Sequence, residues 1–166
     1  MNKLFQWLSK VPSDTPSAVI LIRLMAGGVF FWEGILKFVY TNQGVGRFTK
    51  LGIPFPDITG PGIGCLEIVG GLLLIFGLCT RYISVLFIGE MIVAILSTKI
   101  SLFLGTYPLP LPPAPPTVGI WAVLHETRSD YAQIMCSAFL LIVGAGPNSL
   151  DWIFFGDQKS PASRRS

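Results

Sequence analysis

The sequence predicts an all-α fold: an integral membrane four-helix bundle with both termini on the cytoplasmic side. Three observations predict it. Four apolar stretches reach or approach the ~20 residues that a helix needs to cross a bilayer. Only 13% of the 166 residues are charged and 51% are hydrophobic, where a soluble domain carries about 25% charge; mean hydropathy is +0.63. Each stretch nevertheless holds polar or ionisable residues: Arg23, Glu33 and Lys37 in the first, Glu67 in the second, Glu90 and Lys99 in the third, Gln133, Cys136 and Ser137 in the fourth. A charge within a bilayer span costs roughly 3 kcal/mol on insertion scales, so it is kept where it pairs, lines a wet cavity or does work.

Residues 1–16 carry Lys3, Phe5, Trp7 and Lys10 and read as an interfacial segment with aromatics at headgroup level. The apolar run from Ala18 is about 23 residues long, beyond the ~7–15 of a cleavable leader, so it is expected to stay as a helix. One domain covers 17–155. Its first span runs over 17–40, and a Gly- and Pro-rich loop follows over 41–60. The second span covers 61–79, Thr80-Arg81 forms a tight turn, and the third span covers 82–104. Residues 105–130 hold Pro108, Pro110, Pro112, Pro113, Pro115 and Pro116. Each proline removes a backbone donor that lipid cannot replace, so this segment is an extended loop outside the bilayer. The fourth span covers 131–147, and 156–166 is a polar tail expected to be mobile.

Basic residues set the orientation. The N-terminus, the 80–81 turn and the tail carry Lys3, Lys10, Arg81, Lys159, Arg164 and Arg165. The opposite side carries Arg47, Lys50, Lys99 and Arg128. That excess places the termini inside and the two long loops outside.

At 100° per residue, Arg23, Gly27, Gly34 and Lys37 fall within about 80° of one another, with Glu33 beside them. Gly64, Glu67, Gly70, Gly71 and Gly77 share a face of the second helix. Glu90, Ala94, Ser97 and Ser101 share one of the third. Small residues let helices approach closely in lipid, so these faces should meet in the bundle interior. The glycine face of the second helix also leaves self-association of copies open. Glu33, Lys37 and Glu67 form an outer cluster, with Glu33 and Lys37 in the favourable i,i+4 order. Arg23 with Glu90, and Arg81 with Asp151, are candidate structural ion pairs. Lys99 lies opposite Glu90 on its helix and is expected to snorkel. The outer cluster has two readings: charges that only fix helix register, or a site that handles protons or binds a headgroup such as a quinone.

Several chemistries lack their residues. The single histidine, His125, and three cysteines without a CxxC do not support a zinc or haem site within the chain. HExxH and Walker A patterns are missing. A net charge of +3 without a block of like charges gives no nucleic-acid footprint. Cys65 and Cys136 lie at similar depth and are either a redox pair or two small apolar residues. His125, beside Glu126 and Asp130, is either a surface group or a gate.

An ordered set of motifs resembles the DoxX-like membrane proteins. It comprises Leu21-Ile-Arg23-Leu, Gly27-Gly28, Phe31-Trp-Glu-Gly34 with Lys37, Phe48 and Leu51-Gly-Ile-Pro54. It continues with Glu67-Ile-Val-Gly-Gly71, Leu74, Gly77, Thr80-Arg81, and Gly144-Ala-Gly-Pro147 with Ser149-Leu-Asp151. The resemblance covers roughly 17–155. It implies a four-helix inner-membrane protein. Among relatives it implies redox work: a subunit of a thiosulfate:quinone oxidoreductase, a maturation factor for methylamine use, and proteins tied to quinones or oxidative stress. The Pro-rich loop departs from the usual form.

Two functions follow as expectations. The first is a redox-linked membrane subunit that binds quinone through Glu33, Lys37 and Glu67 and works with a partner protein at the outer loop 105–130, which supplies the electrons. The second is a non-catalytic assembly component, scaffold or small carrier, in which the charges only order the bundle.

Overall fold

The computed structural model describes residues 15–111 and 113–156. The expected interfacial segment (but for its last two residues) and all but the first residue of the expected tail lie outside the described residues. The elements are all helices: α1 Val19–Val39, α2 Val45–Lys50, α3 Pro56–Phe76, α4 Thr80–Leu104, α5 Ile120–Val143 and α6 Leu150–Phe155. Of these, α1, α3 and α4 are long and apolar enough to cross a membrane.

Helix α1 buries a stripe of Val19, Arg23, Ala26, Gly27, Phe30 and Gly34. The steps of three and four residues put all six on one face. Helix α3 answers with Gly60, Gly64, Glu67, Gly70, Gly71 and Leu74. The two helices run antiparallel and meet glycine on glycine. A Cβ on Gly27 would stand 2.6 Å from the carbonyl oxygen of Gly71, and one on Gly34 would stand 2.7 Å from that of Gly64. With no side chains between them the backbones close to direct contact, which supplies the packing that lipid does not drive.

The α3–α4 turn falls at 77–79, earlier than the expected 80–81. Gly77, at φ 68°, ends α3 in the left-handed region that favours glycine. Thr80 and Arg81 are already the first turn of α4. Two backbone amides at this N-terminus, of Cys79 and Thr80, donate to the Asp151 carboxylate at 2.8 and 3.0 Å. Asp151 reaches them because Ser149 starts α6, its hydroxyl accepting from Trp152 N at 3.1 Å. Phe87 of α4 fills the space that Gly70 leaves open. Its ring stacks on Phe30 of α1, with centroids 3.6 Å apart.

Helix α5 starts at Ile120, eleven residues before the span expected over 131–147. The last proline of the run is Pro116, and Gly119 at φ 83° turns the chain into the helix. Nothing after that breaks helical hydrogen bonding until Gly144, so the loop covers only 105–119. His125 therefore sits on a helix, exposed, rather than in a loop. The long helices form two tight antiparallel pairs, α1 with α3 and α4 with α5, and contact between the pairs is thinner.

Burial is inverted relative to a soluble protein. Arg23, Glu67, Gln133 and Ser137 are buried. Leu21, Trp32, Val69, Val93 and Ile142 face outward. A soluble domain hides such side chains and exposes its charges. The reverse arrangement matches a chain whose surroundings are hydrocarbon.

Candidate functional site

Between the two helix pairs lies a cavity of about 460 Å³, inside the ~300–1,000 Å³ range of small-molecule sites. Its walls are mainly apolar, with Phe30, Leu66, Leu86 and Met91 among them. Glu33, Lys37, Glu67 and Glu90 also line it. The ammonium of Lys37 meets Glu67 Oε2 at 2.5 Å, and both side chains are largely hidden. The Glu90 carboxyl and the charge of Glu33 both act on the Glu67 carboxyl. Lys37 and these three carboxyls thus line one pocket, together with the charged groups at its loop end.

At its loop end the cavity is bounded by Arg47 of α2 and by Lys99 and Asp130. Lys99 Nζ lies 3.8 Å from Asp130 Oδ2. Burial pushes the phenol of Tyr107, from the Pro-rich loop, up from the ordinary value against the opposing pull of the Arg47 guanidinium. Gly44 permits the docking of α2, because a Cβ there would strike the Lys37 carbonyl.

The expected outer cluster of Glu33, Lys37 and Glu67 therefore lines one cavity. The ion pair of Lys37 runs across to α3 rather than along α1 to Glu33. The expected pair of Arg23 with Glu90 does not form. Arg23 is one turn into α1 and Glu90 nearly three turns into α4; both helices start at the same end, so the two differ in depth by about 9 Å. Arg23 instead donates to the carbonyls of Ala145 at 2.8 Å and Asn148 at 2.6 Å. Arg81 donates to the Ile142 carbonyl at 3.0 Å. Both guanidiniums thus hold the segment where α5 has ended and its last carbonyls need donors. The charge of Asp151 acts on both, and its oxygens cap α4.

Lys99 does not snorkel. It is buried against Asp130, because α5 extends far enough to bring that carboxylate opposite. The three cysteines are free. Cys136 Sγ sits 3.5 Å from Met25 Sδ rather than near Cys65. The sequence offers Glu90 only as a partner for Arg23 and Gln133 only as a polar residue of the fourth stretch, and it gives Arg47 and Asp130 no place in the site. A signal existed for two of them: Asp130, Gln133 and Ser137 stand at i, i+3 and i+7, one helical stripe that a span beginning at 131 cuts short.

A helical chain with apolar outer faces and a charged, hollow interior is a multi-pass membrane protein. The profile of the DoxX family matches residues 18–100, and the chain belongs to that family. It is 37% identical over 151 residues to the "Uncharacterized membrane protein Rv3486" of Mycobacterium tuberculosis, covering 87% of this chain and 86% of that protein. It is 28% identical over 142 residues to the "Putative oxidoreductase CatD" of Bacillus subtilis, covering 85% of this chain and 90% of the relative. No solved structure matches it.

Proposed function

We propose that this protein is a redox-linked membrane subunit that binds a quinone between its helix pairs and works with a partner protein at the loop end. One observation carries the reading: a largely apolar cavity of about 460 Å³ that holds Glu33, Lys37, Glu67 and Glu90. A lipid-soluble ring needs apolar walls, and its oxygens need donors and a proton source. The oxidoreductase name of one relative points the same way.

A bound quinone supplies two-electron chemistry coupled to proton uptake. In this chain, Lys37 is the donor placed to meet a ligand oxygen. Glu67 and Glu90 bring two carboxyls to the Lys37 ammonium in one hollow, and like charges in a shared site oppose joint ionisation. Glu67 and Glu90, which line the same hollow, are the pair to hold and pass a proton. The electrons come from the partner, which belongs to a redox class.

Binding of a short-chain quinone such as decylubiquinone to the protein in nanodiscs tests this. Tryptophan quenching gives the affinity. Glu67→Gln and Lys37→Met should each weaken binding about tenfold, the scale of a lost buried polar contact. An absence of binding, or binding indifferent to both substitutions, would overturn the proposal.

A further inference from the structure

We propose that Gln133 of α5 is a ligand-contacting residue of the cavity that Glu67 and Glu90 also line, and that its amide grips both the oxidised and the reduced form of the ligand. The inference rests on the quinone reading above.

Gln133 is 5% exposed and lines the cavity. Its Oε1 is buried and has no hydrogen-bond partner among the described residues. Leaving such an acceptor dry forfeits its hydration with nothing in return, and native proteins rarely do so without a reason. A leucine would fill the same place without that penalty. An unpartnered amide that points into a cavity is therefore placed for something that enters it.

The register of α4 and α5 puts Gln133 level with the carboxyl pair. Arg81 of α4 meets the Ile142 carbonyl of α5 at 3.0 Å. Glu90 lies nine residues beyond Arg81, and Gln133 lies nine residues before Ile142. In an antiparallel pair those two positions share one depth. Glu90 Oε2 is likewise buried without a hydrogen-bond partner. Glu90 and Gln133 thus stand at one depth on the α4–α5 side of the hollow, which Glu67 of α3 lines from the other helix pair.

The chemistry suits a ligand with two protonation states. An amide carries two donors and an acceptor. Rotated one way it donates to a ring carbonyl; rotated the other way it accepts from the hydroxyl that replaces that carbonyl. It does so without changing charge, which neither a lysine nor an ionised carboxylate can do. Binding both forms with similar strength keeps the ligand seated while its protonation changes.

The test uses the full chain in nanodiscs, with decylubiquinone and decylubiquinol as probes, and measures affinity together with the melting temperature of the ligand-free protein. Gln133→Leu should weaken both probes about tenfold. The same change should leave the melting temperature unchanged or raise it, because it removes an orphaned acceptor. Gln133→Met repeats the measurement in a closer shape should the leucine variant fail to fold. Unchanged affinity for both probes overturns the role of Gln133 and leaves the quinone reading standing. Loss of one probe only overturns the claim of dual grip. A lower melting temperature marks a structural residue and overturns the assignment. Wild-type protein that binds neither probe overturns the quinone reading, and the role of Gln133 with it.

Discussion

Lys37 on α1 and Glu67 on α3 are joined at 2.5 Å, and each stands three residues beyond a glycine at which the two helices touch, Gly34 and Gly64. Because the helices are antiparallel, the two charges rise to opposite sides of that contact. The flexible stem of lysine covers the offset. The glycine contact thus sets the separation at which the ion pair closes.

Removing one partner should be worse than removing both. Lys37→Met leaves the Glu67 carboxylate hidden without its cation, and about 3 kcal/mol of stability should be lost. Lys37→Met combined with Glu67→Gln should recover more than half of it. A double-mutant cycle by denaturant titration in detergent measures the coupling, and additive losses would show that the pair is not coupled.

The α1–α3 contact tolerates no side chain. Gly27→Val would drive its Cβ into the Gly71 carbonyl, 2.6 Å away, and should cost about 3 kcal/mol as overpacking. Gly62→Ala, with nothing within 4 Å of its Cβ, should be neutral or slightly stabilising, because alanine is the better helix former. Thermal melting of the two variants side by side checks the contrast.

Asp151→Ala removes the acceptor that caps α4 at Cys79 and Thr80. A loss of about 1–2 kcal/mol is expected. Hydrogen exchange should rise at residues 79–82 while the middle of α4 stays protected.

Arg23→Lys keeps the charge and loses the fork. One ammonium replaces two guanidinium nitrogens that now serve the Ala145 and Asn148 carbonyls, so a buried carbonyl is left unpaired at about 1–3 kcal/mol. The variant should melt below wild type, and exchange should rise within residues 144–151. Wild-type melting would show that Arg23 acts as a charge alone.

Composition and apolar run length made the helical membrane class legible, because hydrocarbon imposes one demand along every span. The stripe geometry of α1 and α3 was legible for the same kind of reason. Gly27, Gly34, Gly64 and Gly71 recur at seven-residue spacing and can only mark close approach. Depth was harder to read. Sequence gives distance along one helix but not the offset between two, so it cannot tell that Glu90 lies too deep for Arg23. Asp130 is hidden by an element boundary: the polar run 125–130 looks the same as loop until the last proline and Gly119 mark the start of α5. The partner of Lys99 is hidden with it.

The central claim is that the hollow between the helix pairs takes a quinone. The most direct measurement is labelling with a photoreactive azido-quinone in nanodiscs, with modified peptides mapped by mass spectrometry. Attachment should concentrate on the cavity residues Phe30, Leu66 and Met91 and be displaced by excess decylubiquinone. Labels confined to the outward-facing Leu21, Val69 and Ile142, indifferent to the competitor, would contradict it.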